Sequence, residues 1–308
     1  MMNRETKSLE PGKTVASLHP PAPRRSPCVP LFPSFSDSPE FLRLLRGEDE
    51  PDLTRLCLEL ARDAYPELDA RPYVARIDDL ADRVRDRCPD GAKVRHILGQ
   101  INWVLFVEEG FRGNVEDYRD TRNSYLNELL DRKLGIPISL SSLYLVIAER
   151  LGLAMAGVNL PGHFVVRVGR NDSTIFVDPF HEGAFLDREG CGRRASAALG
   201  RSIPLPDSIL APCSTRDLVA RLLRNLKAAY LGELDFAAAV PVLRRLVALS
   251  KGDHHERRDL GIALLRVGEP GESLAHLAAY LAASPRANDA EDIAALIRVA
   301  GRDIAGRN

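Results

Sequence analysis

Apolar residues recur every three to four positions along most of this chain and switch to strict alternation only in one central stretch. Residues 1–36 show neither pattern. They are rich in Pro, Ser and basic side chains, including Pro20-Pro21-Ala22-Pro23-Arg24-Arg25, a composition that cannot build a core and predicts a disordered tail. Ser38-Pro39-Glu40 then offers a cap and a proline at the first helical position, ahead of Phe41, Leu42, Leu44 and Leu45. Two helical stripes follow, Leu53, Leu56, Cys57, Leu60, Ala64 and Val74, Ile77, Leu80, Ala81, Val84. A third helix is predicted over about 93–109, with Ile97, Ile101, Trp103, Val104 and Leu105 as core and Gly110 as its stop. Asn123-Ser124 reads as the cap of a helix carrying Tyr125, Leu126, Leu129 and Leu130 inward and ending near Gly135. The next helix is expected over about 139–151, with Leu140, Leu143, Tyr144 and Ile147 on one face and Gly152 just past its end.

Alternation marks three strands, 156–160, 163–168 and 173–178, which the short connections make antiparallel. Closing the loop 169–172 so that Val168 meets Ser173 places His163 directly opposite Asp178. Opposed residues project to one face with Cβ atoms about 4.5–5.5 Å apart, close enough for an imidazole to meet a carboxylate. A shift by one residue pair leaves the two diagonal, and only an odd slip parts them. Asp187 is positioned to cap a short helix, and Ile203-Pro204-Leu205-Pro206 reads as a linker. From Thr215 onward the pattern is helical and repeats: Asp235-Phe236-Ala237-Ala238-Ala239 to Ser250 resembles Glu269-Pro270-Gly271-Glu272-Ser273 to Ser284. A period near 34 marks tetratricopeptide hairpins, although Pro241 falls inside an expected helix.

A chain of 308 residues with 45% hydrophobic content has room for two domains. Its net charge of −1 gives no electrostatic reason to expect nucleic acid or an anionic membrane as partner. No apolar run approaches the roughly 18–20 residues that span a bilayer, and the polar start Met1-Met2-Asn3-Arg4-Glu5 is unlike a signal peptide. The five cysteines are scattered without metal spacing. The expectation is a reduced, cytoplasmic protein with no cofactor and no metal. Cys57 reads as a small core residue, and Cys88 sits at a helix end whose dipole opposes a thiolate.

The chemistry-bearing order is Gly135-Ile136-Pro137-Ile138-Ser139-Leu140-Ser141, an apolar helix, Pro161-Gly162-His163-Phe164, then Val177-Asp178-Pro179-Phe180. Glycine turn, helix start, histidine, aspartate is the layout of a papain- or transglutaminase-like site. A carboxylate fixes the tautomer of a neighbouring imidazole, which can then activate a nucleophile. That nucleophile belongs at the helix N-terminus, where the dipole lowers a thiol's pKa. No cysteine stands there. Ser139 reads either as a capping hydroxyl, whose loss to alanine costs about 1 kcal/mol, or as a nucleophile with His163 as base and Asp178 as orienter. His163 and Asp178 also read as a structural pair, or as the lining of an inherited pocket. His181, three residues after Asp178, reads as a metal ligand only by proximity, and no further ligands at metal spacing support it. Asn123 and Asn127 read as scaffold at the site's entrance, Asn127 bracing the Gly135 turn; with Pro137 they form the candidate binding set.

With Val107-Glu108-Glu109-Gly110-Phe111-Arg112-Gly113-Asn114, Asn123-Ser124-Tyr125-Leu126-Asn127 and Arg224-Asn225-Leu226-Lys227, these motifs give a chain that resembles the SirB-one family. That family is a branch of the transglutaminase-like superfamily with a tetratricopeptide tail. The resemblance covers about residues 40–300. It implies an α+β fold: a helical N-terminal region packed on a transglutaminase-like (papain-like) core with a small antiparallel sheet, over 37–202. An all-α module of helical-hairpin repeats over 203–308 follows. His163 and Asp178 fall on the superfamily's catalytic histidine and aspartate, and its catalytic cysteine falls near Pro137 or Ser139. Cys191 and Cys213 come after the histidine, whereas the superfamily order places cysteine first. The resemblance therefore implies a cysteine-less, non-catalytic domain that binds a protein partner through its C-terminal repeats. The alternative is a hydrolase or amide transferase using Ser139, His163 and Asp178.

Overall fold

Helix α6 (Pro137–Arg150) is the centre of the molecule, and every residue from Pro137 to Ala148 on it is buried. A helix apolar all round has no solvent face to offer and must be enclosed by its neighbours. The computed structural model describes residues 35–48, 51–169, 173–250 and 252–306; the expected tail over 1–36 lies almost wholly outside them. Among the described residues five α-helices precede α6: α1 (Pro39–Arg46), α2 (Leu53–Ala61), α3 (Arg71–Asp86), α4 (Val94–Asn102) and α5 (Leu126–Arg132). Strands β1 (Arg112–Gly113) and β2 (Leu134–Gly135) pair in parallel just before α6. After it comes an antiparallel sheet ordered β3 (Met155–Val158), β4 (Val165–Val168), β5 (Ile175–Asp178), β6 (Ala184–Leu186). Helix α7 (Arg188–Leu199) is capped by Asp187, whose Oδ1 accepts the Gly190 N–H at 2.7 Å as its sequence position suggested. Among the described residues five α-helices follow: α8 (Thr215–Gly232), α9 (Phe236–Leu249), α10 (His254–Arg266), α11 (Pro270–Ala283) and α12 (Ala290–Ala305). The α+β class with a helical-repeat tail is thus what the chain adopts, and α9 runs unbroken through Pro241.

Three local expectations are corrected. The third helix is α-helical only to Asn102 and then widens into a π-helix over Trp103–Glu108. The widened turn swings Trp103 outward, 48% exposed with its indole N–H on Glu108, and it is not a core residue. Ser38 precedes α1 but makes no capping bond with its side chain. The carboxylate of Glu59, from α2, caps that helix instead by accepting the N–H groups of Glu40 and Phe41, each at 3.0 Å. Helix α6 begins at Pro137, two residues earlier than expected, because proline at the first helical position surrenders only an N–H that would go unpaired anyway.

The sheet's pleat divides the interior. Val166, Val168 and Val177 join α6 in the main core, which runs unbroken from Phe41 through α8, α9 and α10 to Leu264. Val165 and Phe176, on the opposite face, pack with Cys191 and Ala195 of α7 and with Leu210. A third cluster joins α11 to α12 through Leu277, Tyr280 and Ile293. No helix among the described residues is long and apolar enough to cross a membrane.

Candidate functional site

Strand β5 ends at Asp178, whose carboxylate is fully buried. Two-residue alternation puts it on the Phe176 face, toward α7 and away from α6. His163 Nε2 bonds Asp178 Oδ1 at 3.0 Å, so the fold brings the pair together as the alternation implied. The register differs from expectation by one residue pair: Val166 faces Val177 and Val168 faces Ile175. His163 therefore lies diagonal to Asp178 and outside β4, in a turn closed by its own N–H on Leu160 O at 3.1 Å.

Two further groups reach the same carboxylate. Pro179–His181 forms a single 3₁₀ turn with Asp178 as its N-cap residue. Side chains three apart eclipse in such a turn, which brings His181 Nδ1 to 2.8 Å from Asp178 Oδ2. The Nε of Arg194, on α7, stands 2.9 Å from Oδ2 as an ion pair, without donor alignment for a hydrogen bond. Burial alone would raise the Asp178 pKa. The hydrogen bonds and charge of His163 and His181 outweigh it and hold the carboxyl well below the usual range. The donor atoms of His163, Asp178 and His181 all lie within 4.8 Å of one another. No metal was expected because these ligands come from a turn, a strand and a 3₁₀ helix, a grouping that linear spacing does not display.

Ser139 serves the start of α6. Its hydroxyl accepts the Ile136 N–H at 3.0 Å and donates to Asn123 O at 2.6 Å, with Ile136 O also near at 3.1 Å. It accepts a backbone N–H as a cap does, but from the third helical position back onto residue 136. Gly135 makes this possible, because a Cβ there would lie 2.8 Å from Ser139 Oγ and 2.9 Å from a Leu129 methyl. Asn123 is not the expected N-cap. That role falls to Tyr125, which lends no side chain to it, and Asn123 lies fully buried in the preceding 3₁₀ turn. There its Oδ1 accepts from Asn114 Nδ2 at 3.0 Å and its Nδ2 donates to Asp117 O at 2.7 Å. Asn127 does not brace the Gly135 turn: its buried Oδ1 has no hydrogen-bond partner among the described residues.

Between these two constellations stands a side chain that sequence reasoning missed. The Phe180 ring lies edge-on to His163 at 6.0 Å and to Tyr118 at 6.1 Å. Its carbons would come within 2.5 Å of a Cβ on Gly113, which pairs with Gly135 in the β1–β2 ladder. Contacts from Ser139 to His163 thus pass through Gly135, Gly113 and Phe180. A cavity of about 460 Å³ opens nearby, where Tyr118, Asp120, Ser124 and Ile136 face Asn225 and Ala229 of α8. The later thiols, buried Cys191 and half-buried Cys213, offer no replacement nucleophile. Burial, reinforced by the Asp178 charge, pushes Cys191 up to about 12, and burial pushes Cys213 up to about 11. Arg194 carried no sequence signal, since it sits on a weakly patterned helix, and Phe180 stood in the Val177-Asp178-Pro179-Phe180 motif without a role of its own.

With this geometry in place, a profile of the transglutaminase-like superfamily matches residues 71–224. The chain belongs to that superfamily. A tetratricopeptide-repeat profile matches residues 226–298. A UPF0162 protein of Xylella fastidiosa is 34% identical over 242 residues, covering 78% of this chain and 86% of that one. A UPF0162 protein of Pasteurella multocida is 28% identical over 193 residues, covering 63% and 73%. Mouse F-box only protein 21 is 38% identical over 115 residues, covering 33% of this chain and 18% of its own. A crystal structure of menin superposes with a TM-score of 0.38 at 15% identity, over 78% of this chain and 67% of menin.

Proposed function

We propose that this transglutaminase-like domain performs no acyl transfer and acts with its helical repeats as a protein-interaction or regulatory module. Within the superfamily we place it in the SirB-one branch, on the motifs around Gly135, His163 and Asp178. The observation that carries the reading is the state of Ser139: its hydroxyl is committed to Asn123 O and to the Ile136 backbone. Helix α6 starts at Pro137, which has no nucleophile, so neither it nor the committed Ser139 supplies the thiol's chemistry there. Tetratricopeptide hairpins stack into extended surfaces that suit protein partners. The net charge of −1 favours neither nucleic acid nor membrane, and the free thiols of Cys57, Cys88, Cys191 and Cys213 suit a reducing cytoplasm.

A second reading has one observation in its favour, the intact His163–Asp178 bond, which would orient an imidazole for a hydrolase or amide transferase using Ser139. A fluorophosphonate probe separates the two. The expected result is no more labelling of the full chain than of its Ser139→Ala variant. Stoichiometric labelling that vanishes in a folded Ser139→Ala variant would overturn the non-catalytic reading in favour of the second.

A further inference from the structure

We propose that His163, Asp178 and His181 form a binding site for one divalent first-row transition metal of the zinc class. The set is two imidazoles and one carboxylate, the mixed nitrogen–oxygen donors that such ions prefer. Their donor atoms all lie within 4.8 Å of one another, with nitrogen–oxygen separations of 3.0 and 2.8 Å. Two donors on one tetrahedral zinc stand about 3.3 Å apart, given bond lengths of roughly 2.0–2.1 Å. Small side-chain rotations therefore suffice, and the backbone keeps its place.

The surroundings suit an ion as well. Asp178 is fully buried and its backbone is pinned, with Gly183 N–H on Asp178 O at 2.9 Å and Asn102 Nδ2 on Gly183 O at 2.8 Å. The rings of His163 and His181 both pack against Phe180, which limits their freedom before any ion arrives. The His181 side chain is 40% exposed, which supplies an entry path and leaves at least one coordination position to water or a ligand. Arg194 pairs with Oδ2 at 2.9 Å by charge alone and stays outside the donor set. Because a carboxylate only accepts, each imidazole now turns an N–H toward Asp178. An arriving ion takes the place of those protons. A neutral ring moves its proton to its other nitrogen through solvent, and a charged ring releases one.

The test uses the full chain, stripped with a chelator and titrated with Co²⁺ and Zn²⁺. One equivalent of Co²⁺ should give visible d–d bands without a thiolate charge-transfer band, and one equivalent of Zn²⁺ should displace it. His181→Ala, at an exposed position, and His163→Ala should each weaken Zn²⁺ at least tenfold, while His255→Ala on α10 leaves binding unchanged. Absence of saturable one-to-one binding would overturn the proposal, and so would undiminished binding by a His181→Ala variant shown folded by circular dichroism. Either failure would leave the non-catalytic reading intact, because that reading depends on Ser139 labelling.

Discussion

Ser139 shows how one hydroxyl separates a structural reading from a catalytic one. It satisfies the Ile136 N–H and the Asn123 carbonyl together, and both lie in the interior. Alanine there strands a donor and an acceptor at once, so Ser139→Ala should cost about 2 kcal/mol or more. That exceeds the single lost cap visible from sequence, and denaturant unfolding of the two proteins would measure it; a loss of a few tenths would contradict the bonding described. The companionship of His163 and Asp178 was legible because period-two alternation survives a register shift by a residue pair. The role of Asn123 was not, since Asn114, Asp117 and Ser139 reach it by tertiary folding rather than by helical spacing.

Elements were legible wherever periodicity runs long. Helix α3 buries Ile77, Leu80, Ala81 and Val84 as its stripe requires. Strands β1 and β2 have two residues each, too few for any period to register, and they were missed along with β6. The π-helix after α4 has no period of its own in the sequence, yet it sets Glu108 and Glu109 against a basic group from α3 and the end of α5. Glu109 meets Arg83 Nη1 at 2.5 Å and Lys133 Nζ at 2.9 Å. Partial burial would raise its pKa, but Arg83 and Lys133 prevail and hold it below 4.5, the ordinary value. A lowered carboxyl pKa stabilises the fold above that ordinary value, and the benefit disappears as pH falls through the folded-state value. Glu109→Gln should therefore lose about 1 kcal/mol at neutral pH. The gap to the unmodified chain should close in urea titrations carried progressively below pH 4.5. A gap that persists in acid would assign the loss to packing.

At the scale of the whole molecule, the repeats are joined to the N-terminal helices through the interior. Arg245 of α9, only 4% exposed, holds Asp63 at 2.6 and 2.7 Å, bonds Ser38 Oγ at 3.1 Å and stacks on Phe41 at 4.7 Å. Arg216 of α8 donates to Leu44 O at 2.6 Å, and Tyr125 and Tyr230 share a hydroxyl bond of 2.8 Å. The proline-rich segment at 203–206 reads as a linker from composition alone, whereas the shared core depends on pairs up to 207 residues apart, which composition does not reveal. Asp63→Ala leaves a buried guanidinium unpaired and should cost about 3 kcal/mol. Because α8 and α9 belong to the main core, calorimetry should show α9 melting together with α1 and α2 in one shifted transition. Independent early melting of the repeats would contradict this.

The Phe180 ring fills the space where any side chain on Gly113 would begin. The two positions are therefore bound to one another in descent as well as in space. A lineage that enlarges residue 113 must first trim residue 180, and trimming it uncovers the flank of both imidazoles beside Asp178. Paired replacement at 113 and 180 among relatives would then mark the branches in which the histidine pair has changed its work.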